Sequence, residues 1–337
     1  VGAVWFVVFS RVCREHRKKP MKFEPISYDH AASLIGRSPW EVSRDADLLA
    51  AAHQQAMKTY GCEGCVVGID IYNVEAEIYG CEIVEPGGNG VPTAGEPILS
   101  GLEQIMPLQL DPSQDGRIPM ILEAAEKIAR DHPGAEVRIP LSGPFSIASH
   151  LLGMENMIIE LFTNPEATEA ALMHLAGNQL AYVRAAVEKG FSISLFESSV
   201  TPPLLSPQMF ADSVAPALEK ILKGSDGHPR PDSQLIIGGD TVEILGAMSS
   251  LSPAYIICPV ETDQEEFMSR VIASQQMTVR INMNPAVLLP GKEEAAMAEA
   301  KRVLDLAGRY DHTSTGTLIP FDADPEIVKE VADFIRG

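Results

Sequence analysis

Four carboxylates follow short apolar runs and precede helical segments: Asp70, Glu197, Asp240 and Glu261. His150 sits in the segment after a further run, and Asn282, Thr315 and Thr317 end two more. Carboxylates grouped with one imidazole suit two kinds of chemistry, coordination of a divalent metal and general acid–base transfer. We assign catalytic roles to Asp70, His150 and Glu197, and substrate contacts to Phe145, Asn282 and Thr315. Glu197, Asp240 and Glu261 form the candidate metal set, with zinc as the metal to test. Each residue has a plainer alternative as a helix cap or loop anchor. For Asp240, directly before Thr241 and a helix, capping weighs as much as catalysis. Glu197 is followed by Ser-Ser-Val-Thr-Pro-Pro with no helix start beside it, which favours function.

These residues matter together only if a fold brings them together. Apolar runs of strand length are expected at Cys65–Tyr72, Glu136–Leu141, Ser192–Glu197, Gln234–Ile237, Tyr255–Val260, Thr278–Asn282 and Tyr310–Ser314. Between them lie helical periods, among them Ile118–Asp131, Ile147–Phe162, Pro165–Lys189, Pro207–Leu222, Gln264–Ser274 and Glu293–Ala307. Asn164 and Ser206, each before a proline, offer capping side chains. Strands alternating with helices imply a parallel sheet. The expected fold is α/β, a (β/α)8 TIM barrel with an N-terminal helical extension, its eighth strand between Leu99 and Leu110. In such a barrel the loops after the strands converge on one face, where chemistry collects. No linker divides residues 21–337, so one domain is expected. Glu85–Pro97 is loop by composition. Residues 1–20 are read as a non-native or disordered leader, with a small amphipathic anchor as the alternative; their apolar run is too short to span a bilayer.

The chain has 337 residues and a net charge of −20, which disfavours nucleic-acid and anionic-membrane partners. Five cysteines, an odd count without a cleavable signal, point to reduced thiols and a cytoplasmic setting. Cys62-x-x-Cys65 precedes the first strand, on the wrong side for the chemistry, and has no second pair to complete a tetrahedral zinc site. We read both as buried thiols.

Four segments in order carry a resemblance: GIDIYNVEAEIYG at 68–80, SGPFSIASHLLG at 142–153, SSVTPPLLSPQMFADSVAPALEKIL at 198–222 and NMNPAVLLPGKEEAAMAEAKRVL at 282–304. Together they resemble the uroporphyrinogen decarboxylase superfamily, which includes corrinoid-dependent methyltransferases. The resemblance implies a barrel with the position of Asp70 at the active site. It departs from the decarboxylases, which carry an arginine-rich N-terminal motif, a tyrosine where this chain has His150, and a histidine in the last loop. It is closer to the methyltransferases that act on coenzyme M, but those hold zinc with His-x-Cys and a late cysteine. Here Ile236 and Gly238 stand at the first pair. Loss of soft ligands argues against a thiol substrate. The implied function is methyl transfer from a small methylated substrate, a methoxyaromatic first, to the cobalt of a corrinoid on a partner protein, since the chain lacks an Asp-x-His-x-x-Gly motif. The alternatives are a decarboxylase or lyase acting on a smaller acid, and a methyltransferase specific for methylamines or methylated thiols.

Overall fold

The computed structural model describes residues 21–224, 232–271 and 277–337. The leader reading of residues 1–20 and the expected helix end at Ser274 lie outside these residues. Nine strands occur among the described residues: β1 Gly64–Val66, β2 Ile83–Val84, β3 Thr93–Ala94, β4 Glu136–Ser142, β5 Ser192–Glu197, β6 Gln234–Ile237, β7 Tyr255–Cys258, β8 Thr278–Asn282 and β9 Thr313–Gly316. β2 and β3 form an antiparallel pair, which puts a short hairpin where composition suggested only loop. The other seven make one parallel sheet in chain order, β1-β4-β5-β6-β7-β8-β9. Parallel neighbours need a crossover, and helices such as Ile118–Asp131 and Pro165–Glu188 supply it.

The sheet curls, so that β1 and the segment flanking β9 border one cavity. That flanking segment is Lys22–Ile26. It pairs in parallel with the β9 edge through Phe23–Thr315 and Ile26–Leu318 bridges. The Glu24 and Ile26 amides donate to the Thr315 and Thr317 carbonyls at 2.8 Å each. The eighth place is therefore taken from the N-terminal side of the sheet, not from Leu99–Leu110, where a single 3-10 turn lies at Leu102–Gln104. Pro25 removes an amide from so short a segment, and its apolar pattern is too brief to read as a strand.

Strand parity separates two cores. Ile193 and Leu195 join the large core between sheet and helices, whereas Phe196, Ile236, Tyr255 and Ile257 form a smaller cluster inside the curl with Tyr28 and Ile71. Register pairs Phe196 with Ile236 and Glu197 with Ile237. Paired residues in a parallel ladder face the same side, so Glu197 points with Ile237 into the helix layer.

Two helices differ from their expected course. The segment expected as one helix over 147–162 is two, Pro144–Leu152 and Met154–Thr163, broken at Gly153 with φ of 84°. A Cβ at Gly153 would also stand 3.1 Å from the Pro97 ring. The helix expected over 207–222 contains a π turn at Phe210–Val214. Pro216 follows it, and a proline cannot supply the amide that would close the regular turn. Of the two caps, Ser206 accepts from the Met209 amide at 3.2 Å, but Asn164 makes no capping hydrogen bond. No helix among the described residues is long and apolar enough to cross a membrane.

Candidate functional site

The chain leaves the sheet early after β1, and Asp70 sits in the loop that follows. Its carboxylate takes a bidentate grip from Arg117, at 2.6 and 2.9 Å, with the Asn73 amide at 3.2 Å. Arg117 also donates to Glu77 at 2.5 Å and to the Ser43 carbonyl at 3.1 Å. Arg44, stacked on Trp40 at 3.4 Å, approaches Glu77 from the other side. The Asp70 side chain is only 1% exposed. Its oxygens are committed to tying the loop to the start of helix Ile118–Asp131. Sequence reasoning missed Arg117; the one available signal was that a buried carboxylate needs a cationic partner.

Glu197, fully buried, has a different environment. Oε2 accepts from the Phe145 amide at 3.1 Å, and Oε1 accepts from the Ser146 amide at 2.8 Å and the Ser198 amide at 3.2 Å. The Ser146 hydroxyl also donates to Oε1. The carboxylate therefore caps helix Pro144–Leu152 from the neighbouring strand, where unpaired amides and the helix dipole favour negative charge. This corrects the expectation that Glu197 has no capping duty. Gly143 permits the approach, since a Cβ there would overlap the carboxylate. No cation pairs with Glu197 among the described residues. Burial outweighs the hydrogen bonds and pushes its carboxyl from the ordinary 4.5 up to about 7. Ser146 Oγ lies 3.0 Å from Ser198 Oγ, and Ser198 is half-buried, so a hydroxyl pair leads from the carboxyl toward the loops.

The remaining expected residues divide. Asn282 ends β8 on the same parity as Arg280, whose Nε donates to its side-chain oxygen at 3.0 Å. His150 is half-buried, its ring makes no hydrogen bond to the described residues, and burial pushes its pKa below the usual value. Phe145 is fully buried in the large core, so its ring meets no substrate; only its amide takes part. Thr315 pairs in register with Ile281 of that same core and is fully buried, which turns it away from the interior. Asp240 is exposed, accepting from the Thr262 hydroxyl at 2.7 Å and the Val242 amide at 3.3 Å, the capping alternative. Glu261 is exposed.

Zinc does not fit the expected ligands. Glu197 spends both oxygens on amides in the helix layer while Asp240 and Glu261 face solvent, and no three His, Cys, Asp or Glu side chains among the described residues converge as a metal site. Cys65 lies in β1 itself, and burial pushes the Cys62 and Cys65 thiols up to about 11 and about 12, far from the thiolate a ligand or nucleophile needs.

Two further groups emerge only in three dimensions. Glu75, fully buried, accepts from the Ser142 amide at 3.0 Å, the Ser142 hydroxyl at 2.8 Å and Gln179 at 3.0 Å, and burial raises its pKa. Tyr72 packs edge-on against Phe196, with centroids 6.3 Å apart. Burial, then the nearby Glu197 charge, pushes its phenol up.

Comparison with known proteins agrees with the fold. The family described as Uroporphyrinogen decarboxylase (URO-D) matches residues 14–337. A methylcobamide:CoM methyltransferase, MtbA, of Methanosarcina acetivorans is 26% identical over 309 residues, covering 88% of each chain. Its namesake from Methanosarcina mazei is 27% identical over 272 residues, covering 79% of this chain and 77% of that protein. A solved structure described as a methyltransferase from Methanosarcina mazei superposes with a TM-score of 0.75 at 23% identity, over 94% of this chain and 92% of that one, which shows the shared fold.

Proposed function

The chain belongs to the uroporphyrinogen decarboxylase family, and from that premise we propose that it is a corrinoid-dependent methyltransferase. It moves a methyl group from a small methylated substrate, a methoxyaromatic, to cobalt in a corrinoid carried by a separate protein. The observation that carries the substrate class is the inner face of the curl. Tyr72, Phe196, Ile236 and Ile257 cluster there, with Asn282 at the strand end. Ile236 occupies the place where the resemblance to coenzyme M enzymes would put a zinc-binding histidine. Of the inward strand positions, Ser142, Phe196, Ile236, Ile257, Asn282 and Gly316 carry no charge, while Arg138 and Arg280 do. A flat apolar ring suits the apolar part of this lining.

The corrinoid supplies the nucleophile, and the leaving group falls to this chain. As the methyl carbon passes to cobalt, the carbon–oxygen pair stays on oxygen, and the resulting phenolate takes a proton. Glu197, with its pKa about 7, is the group that can hold that proton near neutral pH. It acts through the Ser146 and Ser198 hydroxyls. Asn282 orients the ether, and His150, neutral at pH 7, accepts a hydrogen bond from the ring substituent. Asp70 positions the loop after β1 through Arg117.

The test is single-turnover methyl transfer to a reduced corrinoid protein, offered methoxyaromatics, methylamines and methylated thiols in parallel, with the cobalt absorbance as readout. Demethylation of the aryl ether is expected to be the fastest. Transfer only from amines or thiols would overturn the substrate class. No transfer from any donor, with carbon dioxide released from small acids, would overturn the reaction.

A further inference from the structure

At the end of the sheet opposite those loops lies a cavity of about 400 Å3, bordered by the first residues of β1, β4, β6 and β7 and by residues 21–26. The proposed methyl transfer uses none of it. Its lining inverts the character of the surface: four basic side chains (Lys22, Arg138, Arg280, Arg336) against three acidic ones (Glu24, Glu63, Glu136), in a chain of net charge −20. Two of the arginines are almost wholly buried, Arg138 at 8% and Arg280 at 4% exposure.

Arg138 is satisfied by Glu136 and the Asp232 carbonyl. Arg280 is not. Its Nε donates to Asn282 and one terminal nitrogen to the Glu24 carbonyl at 3.3 Å, while the second terminal nitrogen makes no hydrogen bond to the described residues. No carboxylate among them comes within 4.0 Å of Arg280. The Glu24 carboxylate accepts instead from the Tyr255 hydroxyl at 2.8 Å and from Ser314. Gln234 offers a second free donor, because its oxygen accepts from Ser194 at 2.7 Å and its amide nitrogen has no partner among the described residues. A nearly buried guanidinium with no adjacent counter-charge is costly, and a bound anion would remove that cost.

We propose that this cavity is a second ligand site, binding a small oxyanion of the carboxylate or phosphate class on Arg280, with Gln234 as its second donor. A guanidinium presents two parallel N–H groups to such an ion, and the cavity is large enough for one small molecule.

Titration calorimetry and thermal unfolding of the full chain test it, with inorganic phosphate and with malonate as probes, against sodium chloride at equal ionic strength. Saturable binding of either probe is expected, with a Tm that climbs with concentration; which probe binds identifies the source. Arg280→Met should weaken binding about tenfold or more. Gln234→Leu, which leaves the arginine in place and guards against a fold defect at position 280, should weaken it several-fold with an unchanged circular dichroism spectrum. Glu197→Gln, at the other end of the strands, should leave it unaltered. Responses no different from chloride would overturn the proposal, as would full affinity retained in folded Gln234→Leu and Arg280→Met, or binding lost in Glu197→Gln.

Discussion

The loop after β1 and the last residue of β5 each place one carboxylate in the interior, and the fold treats the two in opposite ways. Asp70 meets a guanidinium through two hydrogen bonds, and that arginine is braced by Glu77 and a carbonyl. Glu197 meets only neutral donors, three amides and a hydroxyl. A full opposite charge makes a carboxylate a strut, since removing either partner would leave the other buried and unpaired. Amides and a hydroxyl compensate the charge only partly, so burial leaves the Glu197 proton exchangeable near neutrality. Under the proposed reaction, residues of similar type at similar positions thus divide into a structural and a chemical role, according to the partner each is given.

The contrast can be broken most forcefully at Glu197. Glu197→Gln keeps the side-chain shape, gives up one of the two acceptor oxygens of the cap and removes the proton, so methyl transfer should fall by about 10²–10⁴-fold in single-turnover assays while the protein stays folded. Arg117→Met should do the reverse. Leaving Asp70 buried without its partner should cost about 3–5 kcal/mol in urea unfolding, with loss of activity following loss of fold. Comparable stability losses in both variants would erase the distinction.

Smaller effects sharpen it. Ser198→Ala removes the outer hydroxyl of the pair and should lower the transfer rate about tenfold without changing the unfolding midpoint; an unchanged rate would mean the proton leaves Glu197 another way. Stability should also depend on pH with a definite sign. Because the folded-state pKa of Glu197 is raised, the folded chain binds the extra proton between the ordinary 4.5 and about 7, so stability falls as pH rises through that window. Glu75, also raised by burial, adds to the same slope. Glu197→Gln should flatten it. Smallest of all, Cys62→Ser with Cys65→Ser should leave turnover near wild type, with at most some lost stability; a large loss in a folded protein would contradict their reading as inert thiols.

Much of this scaffold is legible in the sequence. β5, β6 and β8, and the helices Ile118–Asp131 and Glu293–Ala307, have the bounds their patterns predict, since each is a clean apolar period closed by turn residues. The eighth strand position is not, because Lys22–Ile26 is short, interrupted by Pro25, and held by only two bridges. β1 ends at Val66 rather than Tyr72, since Gly68 bonds instead with the buried His53 ring at 3.1 Å. The site was harder still. Finding strand ends locates the loops, but parity decides which side chains face inward. In β5 the apolar Ile193 and Leu195 face the helices, which carries Glu197 with them and leaves Phe196 inside. The alternation was present in SISLFE, but its outward sense depends on the sheet having a second, inner core. Arg117 had no local signal at all, because its role exists only across the fold.

The most direct measurement is an infrared titration of the carboxyl stretch, wild type minus Glu197→Gln, across the neutral range. The account predicts a protonated carboxyl band that belongs to Glu197 and titrates at about 7. A band lost at the ordinary 4.5 would make Glu197 an ionised helix cap at neutral pH and remove the proton donor from the proposed reaction.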